Sequence, residues 1–321
     1  MSALMLAIPS KGRLQEQVNE YFADAGLPLA KSAGARGYRA SIASMPDVDV
    51  MLLSASEIAG ALLEGDVHLG ITGEDLIRES TPSLDGKVAL VKPLGFGFAD
   101  VVVAVPLAWI DVSTMADLDD VCAAFYQRHR RRLRIATKYV SLTRAFFAHA
   151  GIWDYRIVES VGATEGAPAA GAAEAIVDIT TTGTTLAANN LKVVSDGTIL
   201  KSQAQLAASL GAKWSAGAAS AAKGLLARLA ARERAKNSLI LRSHLSNGAE
   251  VVKTLPGVSL LSTPPNGDGE FAIVCPKTNL MDAVAVLRKH AKSGAITAHA
   301  TDYIFEANDP LVAAFEKAIR R

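Results

Sequence analysis

Threonines crowd a single glycine in Thr180-Thr181-Thr182-Gly183-Thr184-Thr185, and an acid, Asp178, stands just ahead of them after the apolar run Ala175-Ile176-Val177. Hydroxyls and free amides around a glycine can converge on one anion, and glycine lets the backbone approach it closely. A turn of this kind suits a phosphate, and the turn at Leu186 can add a helix N-terminus with its partial positive charge. Asp178 is placed to accept from sugar hydroxyls beside that phosphate. Cations able to meet anionic groups stand at Lys11 and Arg13, in the turn Pro9-Ser10-Lys11-Gly12-Arg13, and at Lys138. On local chemistry alone each stretch is also compatible with a solvated turn.

Such residues need strands to deliver them. Apolar runs predict strands at Leu4–Ile8, Val48–Leu53, Val67–Thr72, Val88–Val91, Val101–Val105, Leu133–Thr137, Tyr155–Val158 and at Lys192–Ser195 and Ile199–Gln205, the last two returning the chain to the first lobe. Helices are predicted from Arg13 to about Ala25, from a Ser56 cap to Gly65, and over Thr114–His129, Ser141–Ala150 and Trp214–Ala235. Ala30–Ala40, with Lys31, Arg36 and Arg39, reads as a mobile basic loop, and Gly95-Phe96-Gly97 as the first crossing between lobes. Alternating strands and helices with two crossings predict an α/β fold of two lobes facing a cleft. In open α/β sheets ligands bind at the carboxyl ends of strands, where Lys11, Thr72, Lys138 and Asp178 fall.

Beyond the long helix, Leu239–Arg242, Ala249–Leu255, Ser259–Leu261, Phe271–Cys275, Leu280–Lys292 and Ile296–Phe305 read as strand, helix, strand, strand, helix, strand. That order predicts a ferredoxin-like (βαββαβ) domain, followed by a helical tail over 306–321.

Composition excludes several function classes. The 33 lysines and arginines against 32 acids leave a net charge of +1, no footprint for nucleic acid. The run Arg128-His129-Arg130-Arg131-Arg132-Leu133-Arg134 lacks interleaved aromatics and reads as a solvated helix end. Six histidines and two cysteines, scattered without ligand spacing, argue against a structural zinc site and fit a reducing compartment. No apolar run approaches a membrane span and no basic flank precedes the N-terminal apolar run, so the expectation is a cytoplasmic protein with no membrane partner. Neither a Walker-type loop nor a Gly-x-Gly-x-x-Gly fingerprint occurs.

The threonine stretch, Asp178-Ile-Thr-Thr-Thr-Gly-Thr-Thr-Leu-Ala-Ala-Asn-Asn-Leu191, resembles the phosphoribosyl-pyrophosphate loop of the ATP phosphoribosyltransferase family, close to Asp-(Ile/Leu)-Val-x-(Thr/Ser)-Gly-x-Thr-Leu-x-x-Asn-x-Leu. Many members carry a second acid where this chain has Thr181, which leaves the ribose to Asp178. The Lys11-Gly12-Arg13-Leu14 turn is similar to one in the family's catalytic cleft, and Gly65-Asp-Val-His-Leu-Gly-Ile-Thr-Gly-Glu-Asp75 is similar to a family strand, with His68 where aspartate is usual. His68 lies inside that strand and reads as structural; Thr72, Gly73 and Glu74 at its end are the cleft candidates. A further segment matches at Glu165 and Pro168 but has Ala169 for the family's arginine.

The resemblance spans nearly the whole chain. It implies a periplasmic-binding-protein-like catalytic core, with lobe I at 1–98 completed by 195–235, lobe II at 99–194, and a ferredoxin-like regulatory domain at 236–321. It implies catalytic roles for Lys11, Arg13 and Asp178. Substrate binding falls to Thr72, Gly73, Glu74, Lys138, Glu165, Thr181, Thr182, Gly183, Thr184, Thr185 and Leu186. Its substrates would be ATP and phosphoribosyl pyrophosphate with Mg2+, its allosteric inhibitor histidine, and its assembly a homo-oligomer, a dimer or hexamer. Two rival classes share the fold: a small-molecule binding module, and a catalytically silent regulatory subunit, which would be expected to lose the threonine loop.

Overall fold

The computed structural model describes residues 3–31, 38–160, 162–246, 248–264 and 268–320. Packing divides the chain into two units, one of Met1–Tyr21, Leu29–Ala221 and Phe315–Arg321, the other of Phe22–Pro28 and Ala222–Ala314.

The first unit holds two lobes. Lobe one runs β1 (Leu4–Pro9), α1 (Gly12–Asp24, its last turn in the other unit), β2 (Leu29–Lys31), β3 (Arg39–Ile42), β4 (Val48–Leu53), α2 (Ala55–Glu64), β5 (Leu69–Gly73), α3 (Glu74–Ser80) and β6 (Val88–Pro93). Lobe two follows with β7 (Asp100–Pro106), α4 (Met115–His129), β8 (Leu133–Thr137), α5 (Val140–His149), β9 (Tyr155–Glu159), β10 (Ala175–Thr180), α6 (Thr184–Ala188) and β11 (Leu191–Leu200); β12 (Ala204–Ser209) then returns to the first sheet. The sheets are ordered β2-β3-β4-β1-β5-β12-β6 and β11-β7-β10-β8-β9. Strands β1, β4 and β5 are parallel neighbours, as are β10, β8 and β9. Burial on both faces explains the unbroken apolar run of β1, all of which except Met5 is buried.

Several boundaries differ from the expected ones. Helix α2 is capped by Ser54, whose hydroxyl accepts from the Glu57 amide while Glu57 bonds back to the Ser54 amide, so Ser56 lies inside the helix. Lys192–Ser195 and Ile199–Leu200 belong to the single strand β11, which pairs with β7 through register shifts around Gly197. The return to lobe one therefore starts after Leu200 instead of at 195. Of the expected basic loop, Ala30 and Lys31 lie in β2 and Arg39 and Ala40 in β3; Arg36 lies outside the described residues.

In the second unit, α7 (Ala216–Asn237, its first six residues in the other unit) leads into β13 (Ser238–Ser246), α8 (Gly248–Lys253), β14 (Ser259–Ser262), β15 (Asp268–Pro276), α9 (Leu280–His290) and β16 (Ala291–His299), with a further four-stranded sheet ordered β14-β15-β13-β16. Phe271, Ile273, Leu241, Leu245 and Leu287 form its core. The last strand ends at His299 and not at Phe305. Residues beyond it bond along α7 instead: the Ile304 amide donates to Ala231, and Arg234 donates to the Ile304 carbonyl at 2.7 Å. The chain ends in α10 (Pro310–Ile319). No helix among the described residues is long and apolar enough to cross a membrane.

Candidate functional site

Two chain crossings join the lobes side by side, Phe96–Ala99 outward and Lys201–Gln203 in return. They are held together by bonds from the Ala204 amide to Phe96 and from the Ala99 amide to Ser202, each 3.0 Å. Against them lies a cleft of about 600 Å³ walled by Arg13 and Gly73 from lobe one and by Lys138, Ile179 and Thr181 from lobe two. A second cavity of about 450 Å³ adjoins it, sharing Phe98 and Thr181 and adding Asp100, Thr180 and Lys201.

The threonine loop leaves β10 at Thr180 and turns at Gly183, whose φ of 76° is the left-handed conformation glycine adopts without a Cβ penalty. Three bonds shape it: the Gly183 amide donates to the Thr180 hydroxyl at 2.8 Å, Thr182 and Thr184 share a hydroxyl bond at 2.8 Å, and the Thr181 hydroxyl donates to the Phe98 carbonyl at 2.9 Å. Thr181, Thr182, Thr184 and Thr185 are exposed, and the first amides of α6 point off the helix start without intrahelical partners. Leu186 differs from its neighbours. Its side chain is buried with Val102, Ala104 and Ile176, so it anchors the loop and leaves only its amide to a ligand.

Asp178 is half-buried on β10, opposite Val102 of β7. Burial raises its pKa above the usual carboxylate value, and the Glu165 charge adds to this; the Ile179 amide, donating at 2.8 Å, and the Lys138 charge pull the other way. Asp178, Lys138 and Glu165 thus share one electrostatic neighbourhood. The exposed Lys138 carries its ammonium 4.8 Å from the Tyr139 ring centre.

In lobe one, Arg13 is exposed and lines the cleft, whereas Lys11, also exposed, is not among the lining residues and acts on Glu57 at the start of α2. Thr72 is fully buried and donates its hydroxyl to the Ala55 carbonyl at 2.7 Å. Glu74 accepts from Arg78 at 2.7 Å and from Gln205 at 2.8 Å. Gly73 keeps open backbone on the cleft wall.

His68 is structural, as expected: Nδ1 accepts the Met5 amide at 3.0 Å and Nε2 reaches the Lys213 carbonyl at 3.2 Å. The basic run is structural too. Arg131 and Arg134 bind Glu174, and Arg131 stacks on Phe125. What the sequence reading missed is Asp75, buried at the start of α3, whose carboxylate accepts the hydroxyls of Tyr139 and Ser202. The available signal was its place just beyond Gly73-Glu74, and the tyrosine following Lys138.

The family model for ATP phosphoribosyltransferase matches residues 54–231. A relative from Bradyrhizobium diazoefficiens named ATP phosphoribosyltransferase is 51% identical over 326 residues, covering 100% of both chains, and one of the same name from Rhodopseudomonas palustris is 52% identical over 321 residues, covering 99% of this chain and 98% of its own. Among solved structures, the ATP phosphoribosyl transferase complex of Thermotoga maritima aligns with a TM-score of 0.49 at 26% identity, over 64% of this chain and 87% of that one. A histidine kinase sensor domain with similarity to periplasmic binding proteins aligns with a TM-score of 0.40 at 15% identity, over 71% of this chain and 86% of its own.

Proposed function

We propose a division of labour in the cleft from one premise: this chain belongs to the ATP phosphoribosyltransferase family. It is a pentosyltransferase that joins ATP to 5-phosphoribosyl 1-pyrophosphate in the first step of histidine biosynthesis. A ring nitrogen of the adenine attacks the anomeric carbon. The new N–C bond forms as the C–O bond to pyrophosphate breaks, and the leaving oxygen takes the electron pair.

No side-chain nucleophile is required, so the protein contributes position and charge. The exposed hydroxyls of Thr182, Thr184 and Thr185, with the amides of Gly183 to Leu186, grip the 5′-phosphate. Thr181 supports the loop through Phe98. Asp178 accepts the ribose hydroxyls, whose donated hydrogen bonds offset the cost of its burial, and Lys138 and Glu165 tune its charge. Arg13 meets anionic phosphates near the leaving group, and the exposed Lys11 of the same turn adds positive charge there. Gly73 admits substrate to the lobe-one wall; Thr72 and Glu74 shape that wall, since their side chains are bonded within the protein.

Mg2+ suits this donor set as a passenger on the substrate. No cluster of three or more His, Cys, Asp or Glu that could hold a metal occurs among the described residues, and magnesium is commonly held by phosphates plus one or two carboxylates. Bound to the pyrophosphate, it would neutralise charge on the leaving group, with Asp178 and Glu165 as the nearby carboxylates.

The observation that carries the assignment is the exposed threonine loop that follows the half-buried Asp178 on β10, where the intervening Ile179 and Thr181 line a cleft walled by both lobes. Pyrophosphate release that requires both ATP and phosphoribosyl pyrophosphate is the expected result. Release from neither, or from one substrate alone, overturns it.

For the remainder of the chain, lobe I is 1–98 completed by the return strand and the start of α7, and lobe II begins at 99. The domain expected at 236–321 is a ferredoxin-like regulatory domain carried by the second unit, which ends at Ala314. Its βαββαβ order and its sheet order β14-β15-β13-β16 with antiparallel pairing support that reading. Its ligand is histidine, acting as feedback inhibitor of a cytoplasmic homo-oligomer, a dimer or hexamer. If millimolar histidine neither slows the full-length enzyme nor shifts its melting temperature, the domain reads another ligand or none.

A further inference from the structure

The carboxylate of Asp75 joins both lobes and a crossing between them. It belongs to lobe one, at the start of α3, and is only 4% exposed. Its Oδ2 accepts the Tyr139 hydroxyl at 2.6 Å, and Tyr139, fully buried, belongs to lobe two, where it opens α5. Its Oδ1 accepts the Ser202 hydroxyl at 2.9 Å on the returning crossing, and Ser202 Oγ in turn accepts the Asp75 amide at 3.0 Å. A Cβ at Gly73 would collide with this carboxylate, so the glycine leaves room for it.

A second carboxylate of α3 spans the same boundary. Glu79 accepts the amides of Ser141 and Leu142 at 2.8 and 3.0 Å. Those are first-turn amides of α5, a helix with no side-chain cap of its own. The link ends beside the reacting groups: Lys138, next to Tyr139 in the chain, rests over its ring and acts on Asp178.

We propose that Asp75 and Tyr139 are positioning residues for the transfer reaction, a buried link that holds the lobe-one wall of the cleft in register with Lys138, Asp178 and the threonine loop. The inference rests on the reading of the cleft given above, because registration matters only if reactants on the two lobes must meet. Burial, first, and the neighbouring Asp75 charge push the Tyr139 phenol far above its usual range, so it stays a neutral donor at every working pH. An attack distance is unforgiving, and a small misplacement far from the chemistry costs rate while leaving ground-state affinity intact.

The test uses the full-length enzyme and Tyr139→Phe, Asp75→Ala and Asp75→Asn, with pyrophosphate release, phosphoribosyl-pyrophosphate affinity by calorimetry, and melting temperature read on each. Tyr139→Phe and Asp75→Ala are expected to lower kcat by about 10- to 100-fold, the cost of stranding a buried polar partner, while affinity for phosphoribosyl pyrophosphate, whose ribose and 5′-phosphate are held by lobe two, falls much less than kcat. Asp75→Asn keeps an oxygen for Tyr139 and an amide for Ser202, and is expected to recover most of the turnover. Wild-type kcat in Tyr139→Phe overturns the proposal, as does an Asp75→Asn enzyme as slow as Asp75→Ala. A drop in kcat matched by an equal loss of affinity or of folded protein also overturns it, since that is what a merely structural bond would give. A wild-type chain that releases no pyrophosphate overturns the reading of the cleft, and this proposal with it.

Discussion

Glu174 and Asp178 bracket the apolar run at the start of β10, and the protein treats them in opposite ways. Burial alone would raise the Glu174 pKa. Instead, hydrogen bonds from the Arg134 and Arg131 side chains and the Arg134 amide bring it down from 4.5 to about 2. Asp178 is raised by burial, and a neighbouring amide and Lys138 offset this only in part. A carboxylate with a complete partner set is part of the framework. One that is desolvated with acceptor capacity to spare costs stability until something arrives to bond it, which marks a ligand site. The same strand therefore has a structural end and a functional end, and the contrast can be broken or sharpened by experiment.

The largest effect belongs to the functional end. Asp178→Asn removes charge-assisted acceptance from two sugar hydroxyls, each worth about 1.5–3 kcal/mol, and should lower kcat/KM by roughly 100- to 1000-fold. Its melting temperature should hold or rise, because a buried charge is gone. If Asp178→Asn unfolds at lower temperature and keeps its activity, the two ends have been assigned the wrong way round.

Next comes the loop that Asp178 introduces. Thr184→Val with Thr185→Val removes two donors at nearly constant volume and should weaken phosphoribosyl-pyrophosphate binding by roughly 10- to 100-fold, with less effect on ATP. Calorimetry showing equal losses for both substrates would take the 5′-phosphate away from this loop.

How much of this was legible beforehand depended on range. Local signals carried far: the threonines around Gly183 and the alternation that yields two lobes are written in short windows of sequence, whereas Asp178, read as a strand end, lies two residues inside β10. Helix α2 was misread by two residues because Ser54 and Ser56 are equally good caps in isolation, and only the Glu57 position three residues on selects Ser54. What stayed hidden was long-range. Nothing near Asp75 announces that Tyr139 and Ser202 will reach its carboxylate, and nothing near Leu186 distinguishes a ligand contact from a buried anchor. The strand reading of 300–305 failed for the same reason, since the partners of Tyr303 and Ile304 are Ala25 and α7.

At the structural end, Glu174→Gln should leave turnover at wild-type level and reduce stability by about 1–2 kcal/mol, allowing for the exposure of Arg131 and Arg134 to solvent. Denaturant unfolding at neutral pH measures the first-order cost. An inactive but stable Glu174→Gln enzyme would contradict the contrast between the two acids.

The smallest effect is the most discriminating, because the two acids bend the pH dependence in opposite directions. The folded-state pKa of Glu174 lies below its unfolded value, so its contribution to stability is present above pH 4.5 and is lost as pH falls toward about 2. The folded-state pKa of Asp178 lies above its ordinary 3.8, so its contribution is full below 3.8 and is lost as pH rises through the raised value, beyond which the ionised group is a burden. Acid unfolding of Glu174→Gln should therefore be flatter than wild type over the window from about 4.5 to about 2, whereas Asp178→Asn should gain stability over wild type above the raised pKa. Substrate sharpens the difference further. Sugar hydroxyls that donate to the Asp178 carboxylate favour its ionised form, so phosphoribosyl pyrophosphate should move the acid limb of the rate profile to lower pH in the bound enzyme than in the free one, and Asp178→Asn should abolish that displacement. An acid limb that shifts with substrate in Asp178→Asn as much as in wild type would assign the titration to another group and leave the open acceptor capacity of Asp178 without a function.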